Sequence, residues 1–204
     1  MNCKLLIANC FVFGMLLCSQ SVGHAAKFNK VVDIGQKAPA WSDLIGVDDR
    51  RHALIDLKDA KVVVVAFWCN HCPVAKAYTQ RVIQFTKEFR DKGVRVVAIS
   101  ASRFPADRFE KMKERAKQQK YNFAYLHDAD QKTAVAFGAT CTPHVFVLNQ
   151  SRQIAYMGRI DDTIELDKVT SHFLRDAVNA VLAGRQSEIV ETLQKGCEIE
   201  YQNR

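Results

Sequence analysis

Alternating apolar runs and amphipathic stretches, closed by a hairpin and a last helix, predict an α/β fold: a central mixed sheet flanked by helices on both faces. Three observations carry the prediction. VVVVAFW (62–68) and VRVVAIS (94–100) are continuous, β-branched apolar runs of the kind buried on both faces of a sheet. Between them PVAKAYTQRVIQFTKEFRDKG (73–93) has the pattern of an amphipathic helix, opened by Pro73 and stopped by Gly93. After residue 143, HVFVLNQ and RQIAYMGRI form two strand-like segments turning near Ser151.

The remaining elements follow in chain order. Residues 31–41 are an extended lead-in with a proline turn, and GVDDRRHALIDL (46–57) reads as a short hairpin around Asp48 and Asp49. PADRFEKMKERAKQQK (105–120) reads as one helix with Pro105 in its first turn, and NFAYLHD (122–128) as a third strand. QKTAVAFG (131–138) is a short helix closed by Gly138, and DKVTSHFLRDAVNAVLAG (167–184) a last helix ended by Gly184. No repeat or low-complexity linker interrupts the chain, so one domain is expected over 28–184, followed by a C-terminal extension over 185–204.

Residues 1–25 need a separate reading. MNCKLLIANCFVFGMLLCSQSVGHAA has one basic residue, an apolar run from Leu5 to Leu17 and then small residues that suit a signal peptidase. It reads as an export signal cut near Ala25 or Ala26. The apolar run is shorter than the ~20 residues a membrane span requires, and Leu17 before Cys18 is a poor residue at a lipid-modification site. An exported, periplasmic or extracytoplasmic protein without a transmembrane span after signal removal is therefore expected. Of the seven cysteines, removal of the signal leaves Cys69, Cys72, Cys141 and Cys197 in a compartment where disulfides persist. The net charge of +7 is spread along the chain without a block of like charges, and KMKERAKQQK reads as a solvated helix face, so no nucleic-acid partner is expected.

WCNHCP (68–73) carries the chemistry. A buried strand ends at Trp68 and a helix begins at Pro73, which puts Cys72 at the helix N-cap. Unpaired backbone N–H groups and the helix dipole stabilise a thiolate there. Cys69 lies within reach for a bridge to Cys72, and a protonated His71 would favour the thiolate further. Structural zinc is disfavoured because a second ligand pair of similar spacing is missing. A purely structural bridge would close too short a loop to stabilise much by chain entropy. Redox exchange fits best, with no cofactor required. The rival is a periplasmic copper-binding or copper-delivery protein, in which soft thiolates and imidazole (Cys69, Cys72, His71, with His144 as a further candidate) hold Cu(I). A third reading is an enzymatically silent partner module.

FWCNHCPVAKAY, KERAKQQKYNFAYLHD, FGATCTPHVFVL and YMGRIDD together resemble thioredoxin-like proteins of the redoxin group, related to alkyl hydroperoxide reductases and exported thiol-disulfide oxidoreductases. The likeness spans roughly residues 34–184. It implies a thioredoxin-like fold, a reversible dithiol at Cys69/Cys72, and a cis-proline facing it, matched by Pro143. The Thr142 backbone would then be free to pair with an extended, disulfide- or dithiol-bearing protein substrate. Catalytic candidates are accordingly Cys69, Cys72, His71, Thr142 and Pro143. Matching Phe67–Trp68 without a gap puts the attacking cysteine at Cys72 and Ala66 where thioredoxins keep a buried acid. Matching cysteine pair to cysteine pair puts the attacker at Cys69. The threonine that peroxiredoxins carry three residues before their cysteine is absent, since Cys69 precedes Cys72 by three, which ranks peroxidase activity below disulfide exchange. Cys141 and Cys197 form a possible extra redox or structural pair, the latter in the extension motif KGCEIEY. Arg159, Asp161 and Asp162 are further residues expected at the same end of the sheet.

Overall fold

The computed structural model describes residues 25–202. Up to residue 24 the segment read as an export signal, with Cys3, Cys10 and Cys18, lies outside the described residues. Among those described, no helix is long and apolar enough to cross a membrane.

The lead-in carries buried Val32, Ile34 and Trp41 and joins a hairpin of β1 (Leu44–Gly46) and β2 (Arg51–His52). Then β3 (Val62–Phe67), α1 (Pro73–Phe89), β4 (Val94–Ser100), α2 (Phe109–Gln119), β5 (Ala124–His127) and α3 (Lys132–Phe137) alternate. Two-residue β6 (Cys141–Thr142) precedes the hairpin of β7 (His144–Leu148) and β8 (Ile154–Gly158), and α4 (Phe173–Leu182) follows. The extension ends in β9 (Cys197–Glu198).

Seven strands form one sheet in the order β2-β1-β5-β4-β3-β7-β8, with β3 parallel to β4 and antiparallel to β7. Every residue of β3 is at most 2% exposed, because this strand is covered on both faces. Alternation divides its side chains. Val62, Val64 and Ala66 join the core under α1, α2 and α4, whereas Val63, Val65 and Phe67 pack against α3, the lead-in and Ile199 of the extension.

Two helices are shorter than their sequences suggest. The PADRFEK stretch holds a 3-10 turn (Pro105–Asp107), and an extended Arg108 (φ −56°, ψ 151°) separates it from α2. The break turns the Asp107 side chain inward, where it is fully buried. In the last helix, residues 169–172 stay outside α4 because Thr170 is held through its N–H and hydroxyl by the Asp162 carboxylate. The pairing of β9 with β6 in a separate two-stranded ribbon has no counterpart in the sequence reading.

Candidate active site at the strand-to-helix junction

Beyond β3, the Trp68 N–H still donates to the Ile99 carbonyl (2.8 Å), so the chain leaves the sheet only at Cys69. Cys72 is the N-cap of α1 and Pro73 its first residue. Proline brings no N–H to a position where one would be unpaired, and the Ala75 N–H points at the Cys72 sulfur (3.5 Å). Cys69 and Cys72 are 1% and 0% exposed.

The Thr142–Pro143 peptide is cis, and Thr142 faces both sulfurs. Its hydroxyl lies 2.9 Å from the Cys69 sulfur and its carbonyl 3.0 Å from that of Cys72. The carbonyl can accept only from a protonated Cys72. An ionised Cys72 instead collects donors: the Cys69 thiol above all, then the Cys197 thiol and the backbone N–H groups of Ala75 and Cys197. Against the opposing effect of burial, these hold the Cys72 thiol well below the ordinary thiol range. The same hydrogen bond to Cys72, with burial second, pushes Cys69 far up. The two directions together favour the proton on Cys69 and the negative charge on the sulfur at the helix cap, whereas the contact of Cys72 with the Thr142 carbonyl belongs to its protonated form. Of the two registers left open by the sequence, this charge distribution matches the one with Cys72 as attacker.

A buried acid does lie beside the CNHC turn, supplied by Asp107 rather than by β3. Its carboxylate accepts from the backbone N–H groups of Asn70 (2.5 Å) and His71 (3.1 Å), lies 2.5 Å from His71 Nδ1, and accepts from the Ser102 hydroxyl (2.6 Å). Asn70 is pinned further, donating to the Ala106 carbonyl (2.9 Å) and accepting from the Tyr125 hydroxyl (3.2 Å). The His71 ring stacks on Phe104, with ring centroids 4.6 Å apart. Asp107, Asn70 and Tyr125 were missed by sequence reasoning. The signal available for Asp107 was an acid two residues after a proline, indistinguishable from an ordinary helix start.

Cys69, His71 and Asp107 have ligand atoms within 4.8 Å of one another, whereas the copper set read from sequence has Cys72 in place of Asp107. Both Asp107 oxygens are already engaged by the CNHC turn and Ser102, and a carboxylate is a hard ligand ill matched to Cu(I). His144 is 1% exposed, sits opposite Phe67 in the sheet and packs on Phe146 (centroids 4.5 Å apart). That is the face opposite the core shared by Cys69 and Cys72. It therefore does not complete a site with the thiols.

Cys141 and Cys197 are not register partners. Cys141 stands opposite Glu198, and Cys197 opposite Thr142. Side chains of successive strand residues point to opposite faces, so the two thiols diverge, and Cys197 meets Cys72 instead. Burial, first among the causes, pushes Cys141 up to about 12. Beside Pro143, a cavity of about 220 Å³ is lined by Val74, Tyr78, Arg159, Asp161, Asp162 and Lys195 among others. Asp161 is held by an ion pair with Arg81 (2.6 Å) and by His172 Nδ1 (3.1 Å), which ties it into the packing at this end of the sheet.

The AhpC/TSA family model matches residues 34–157. Among solved structures, a hypothetical protein from Sinorhizobium meliloti 1021 is 31% identical, with a TM-score of 0.80 over 86% of this chain and 98% of that one. An uncharacterized conserved protein from Geobacillus kaustophilus is also 31% identical, with a TM-score of 0.76 over 86% of this chain and 96% of its own. The thioredoxin domain of a thiol-disulfide oxidoreductase from Bacteroides vulgatus shares the fold at 21% identity (TM-score 0.53; 60% of this chain, 86% of that one). No curated protein matches the sequence.

Proposed function

Because this chain belongs to the AhpC/TSA redoxin family and has a thioredoxin-like fold, we propose that it is an exported thiol-disulfide oxidoreductase acting through Cys69 and Cys72. The observation that carries the reading is the Cys72 sulfur at the N-cap of α1, fed by the Cys69 thiol and facing the cis Thr142–Pro143 peptide.

Cys72 thiolate attacks one sulfur of a substrate disulfide and expels the other as a thiolate. Cys69 passes its proton to that departing group and attacks the Cys72 sulfur, which releases the second substrate thiol and leaves a Cys69–Cys72 disulfide. The reverse sequence oxidises a dithiol substrate. A stabilised Cys72 thiolate favours the reduced pair and so shifts its potential in the oxidising direction. His71 and Asp107 are positioning residues: they fix the turn that sets the two sulfurs against Thr142. Export is supported by the charge and apolar pattern of residues 1–26.

Mass spectrometry of Cys69→Ser and Cys72→Ser proteins, each incubated with a disulfide-bonded peptide, tests the assignment. A mixed disulfide on Cys72, trapped by acid quench at early times, is expected to form in the Cys69→Ser protein and none in the Cys72→Ser protein. No adduct on either, with stoichiometric Cu(I) uptake by the unsubstituted chain, replaces exchange by copper delivery.

A further inference from the structure

Strand β9 lies antiparallel to β6, with Cys197 opposite Thr142 directly before the cis peptide. This is the backbone edge to which an extended substrate would add as a strand. The approach is close enough that Gly196 is required. A Cβ at that residue would run into the Thr142 carbonyl, so KGC brings the cysteine in behind the residue type that permits such contact. Tail contacts hold the strand in place: Ile199 N–H donates to the Thr140 carbonyl (2.9 Å), and Gln131 Nε2 to the Glu200 carbonyl (2.8 Å). Cys197 packs against the core that contains Cys69 and Cys72. Burial also orders the three sulfurs, because Cys197 is only half-buried whereas Cys72 and Cys69 are closed off from solvent.

We propose that Lys195–Glu198 is a built-in stand-in for the substrate strand and that Cys197 is a third exchanging thiol, which takes over the Cys72 end of a mixed disulfide. The proposal rests on the exchange reading of Cys72. For a disulfide to reach Cys72, the tail steps aside. On its return the Cys197 sulfur attacks the Cys72 sulfur, the Cys72–substrate S–S bond breaks as the Cys72–Cys197 bond forms, and the Cys197 proton leaves with the departing substrate thiol. One disulfide is exchanged for another, so no further oxidant enters. Cys69 then attacks Cys72 and frees Cys197, which takes up the proton that Cys69 gives up. In the reduced protein, burial and then the hydrogen bond to Cys72 push the Cys197 thiol up to about 11. With Cys72 in a mixed disulfide, burial is the main cause still raising it, so Cys197 is a strong nucleophile once deprotonated but is mostly protonated at neutral pH. The tail's captive position compensates through effective concentration.

The test uses the full chain as Cys69→Ser and as Cys69→Ser/Cys197→Ser, each treated with oxidised glutathione and followed by peptide mapping. With Cys197 present, a Cys72–Cys197 linked peptide is expected and the glutathione adduct on Cys72 decays. With Cys197→Ser, the adduct persists about tenfold longer or more. Equal adduct lifetimes, or a link from Cys72 to Cys141, overturn the relay while leaving Cys72 as the exchanging thiol. Absence of any adduct or link on Cys72 overturns the exchange reading and the relay together.

Discussion

His71 Nδ1 lies 2.5 Å from the Asp107 carboxylate, and the same carboxylate takes the backbone N–H groups of Asn70 and His71. A loop 36 residues further along the chain thereby shapes the turn between the two cysteines. Thioredoxin-type chemistry needs its sulfurs aligned with the peptide before the cis-proline. Here that alignment depends on one buried acid with four donors around it.

Asp107→Ala removes the acceptor and leaves the buried Asn70 N–H, and the half-buried donors of His71 and Ser102, without it. A stability loss of about 3 kcal/mol or more is expected, since stranding hydrogen-bonding groups in the interior costs more than losing an exposed bond. Urea unfolding measures it. The Cys72 adduct rate should also fall, because the turn relaxes. Ser102→Ala removes only one of the four donors and is expected to cost about 1 kcal/mol. Equal losses for the two variants would contradict the role of Asp107 as the hub.

The hydrogen bond from Cys69 is the first cause holding the Cys72 thiol down. In Cys69→Ala that donor is gone, and the Cys72 midpoint is expected to rise toward the ordinary thiol range, held down only by Ala75 and Cys197. Ultraviolet absorbance of the thiolate across a pH series reads the midpoint. For the unsubstituted protein the sign is fixed by the direction of the shift: reactivity of Cys72 is flat through neutral pH and declines only as acid protonates it. In Cys69→Ala the decline begins at higher pH. An unmoved midpoint would assign the charge to the helix cap alone.

These two residues also mark how far the sequence could be read. The buried strands were legible because unbroken β-branched runs have no other stable place, and Cys72 could be set at the N-cap because Pro73 follows it. Asp107 was not legible, because PADRFEK satisfies every local rule of a surface helix start, and only the distant CNHC turn explains why its acid faces inward. His144 failed for a related reason. With all of HVFVL apolar or neutral, alternation could not say which face the imidazole takes. The role of Cys197 lay in a glycine whose need is visible only against the Thr142 carbonyl.

Gly196→Ala places a methyl group against that carbonyl and is expected to detach β9 from β6. Iodoacetamide should then modify Cys72 about tenfold faster or more, since local opening of the tail no longer limits access. Global stability should drop only by about 1–2 kcal/mol, because the sheet and its helices are untouched and the loss is that of a short edge pairing. An alkylation rate equal to that of the unsubstituted chain would mean that the tail does not cover Cys72.

The buried His144 ring makes the fold sensitive to acid. Burial lowers its pKa from 6.5 to about 3, and its Nδ1 has no hydrogen-bond partner. Between those two values the unfolded chain binds a proton that the folded chain refuses. Stability contributed by the neutral ring is therefore fully present above about pH 6.5 and is lost as pH falls toward 3, at roughly 1 kcal/mol per pH unit. His144→Phe retains a ring against Phe146 and has nothing to protonate. Urea midpoints measured from pH 7 to pH 4 should decline less steeply in this variant, by the slope of about one proton. Whatever the variant gains or loses in packing moves the whole curve up or down without changing that slope. Parallel curves for the two proteins would show that the ring does not take up a proton on unfolding, and would remove burial of His144 as a cause of acid lability.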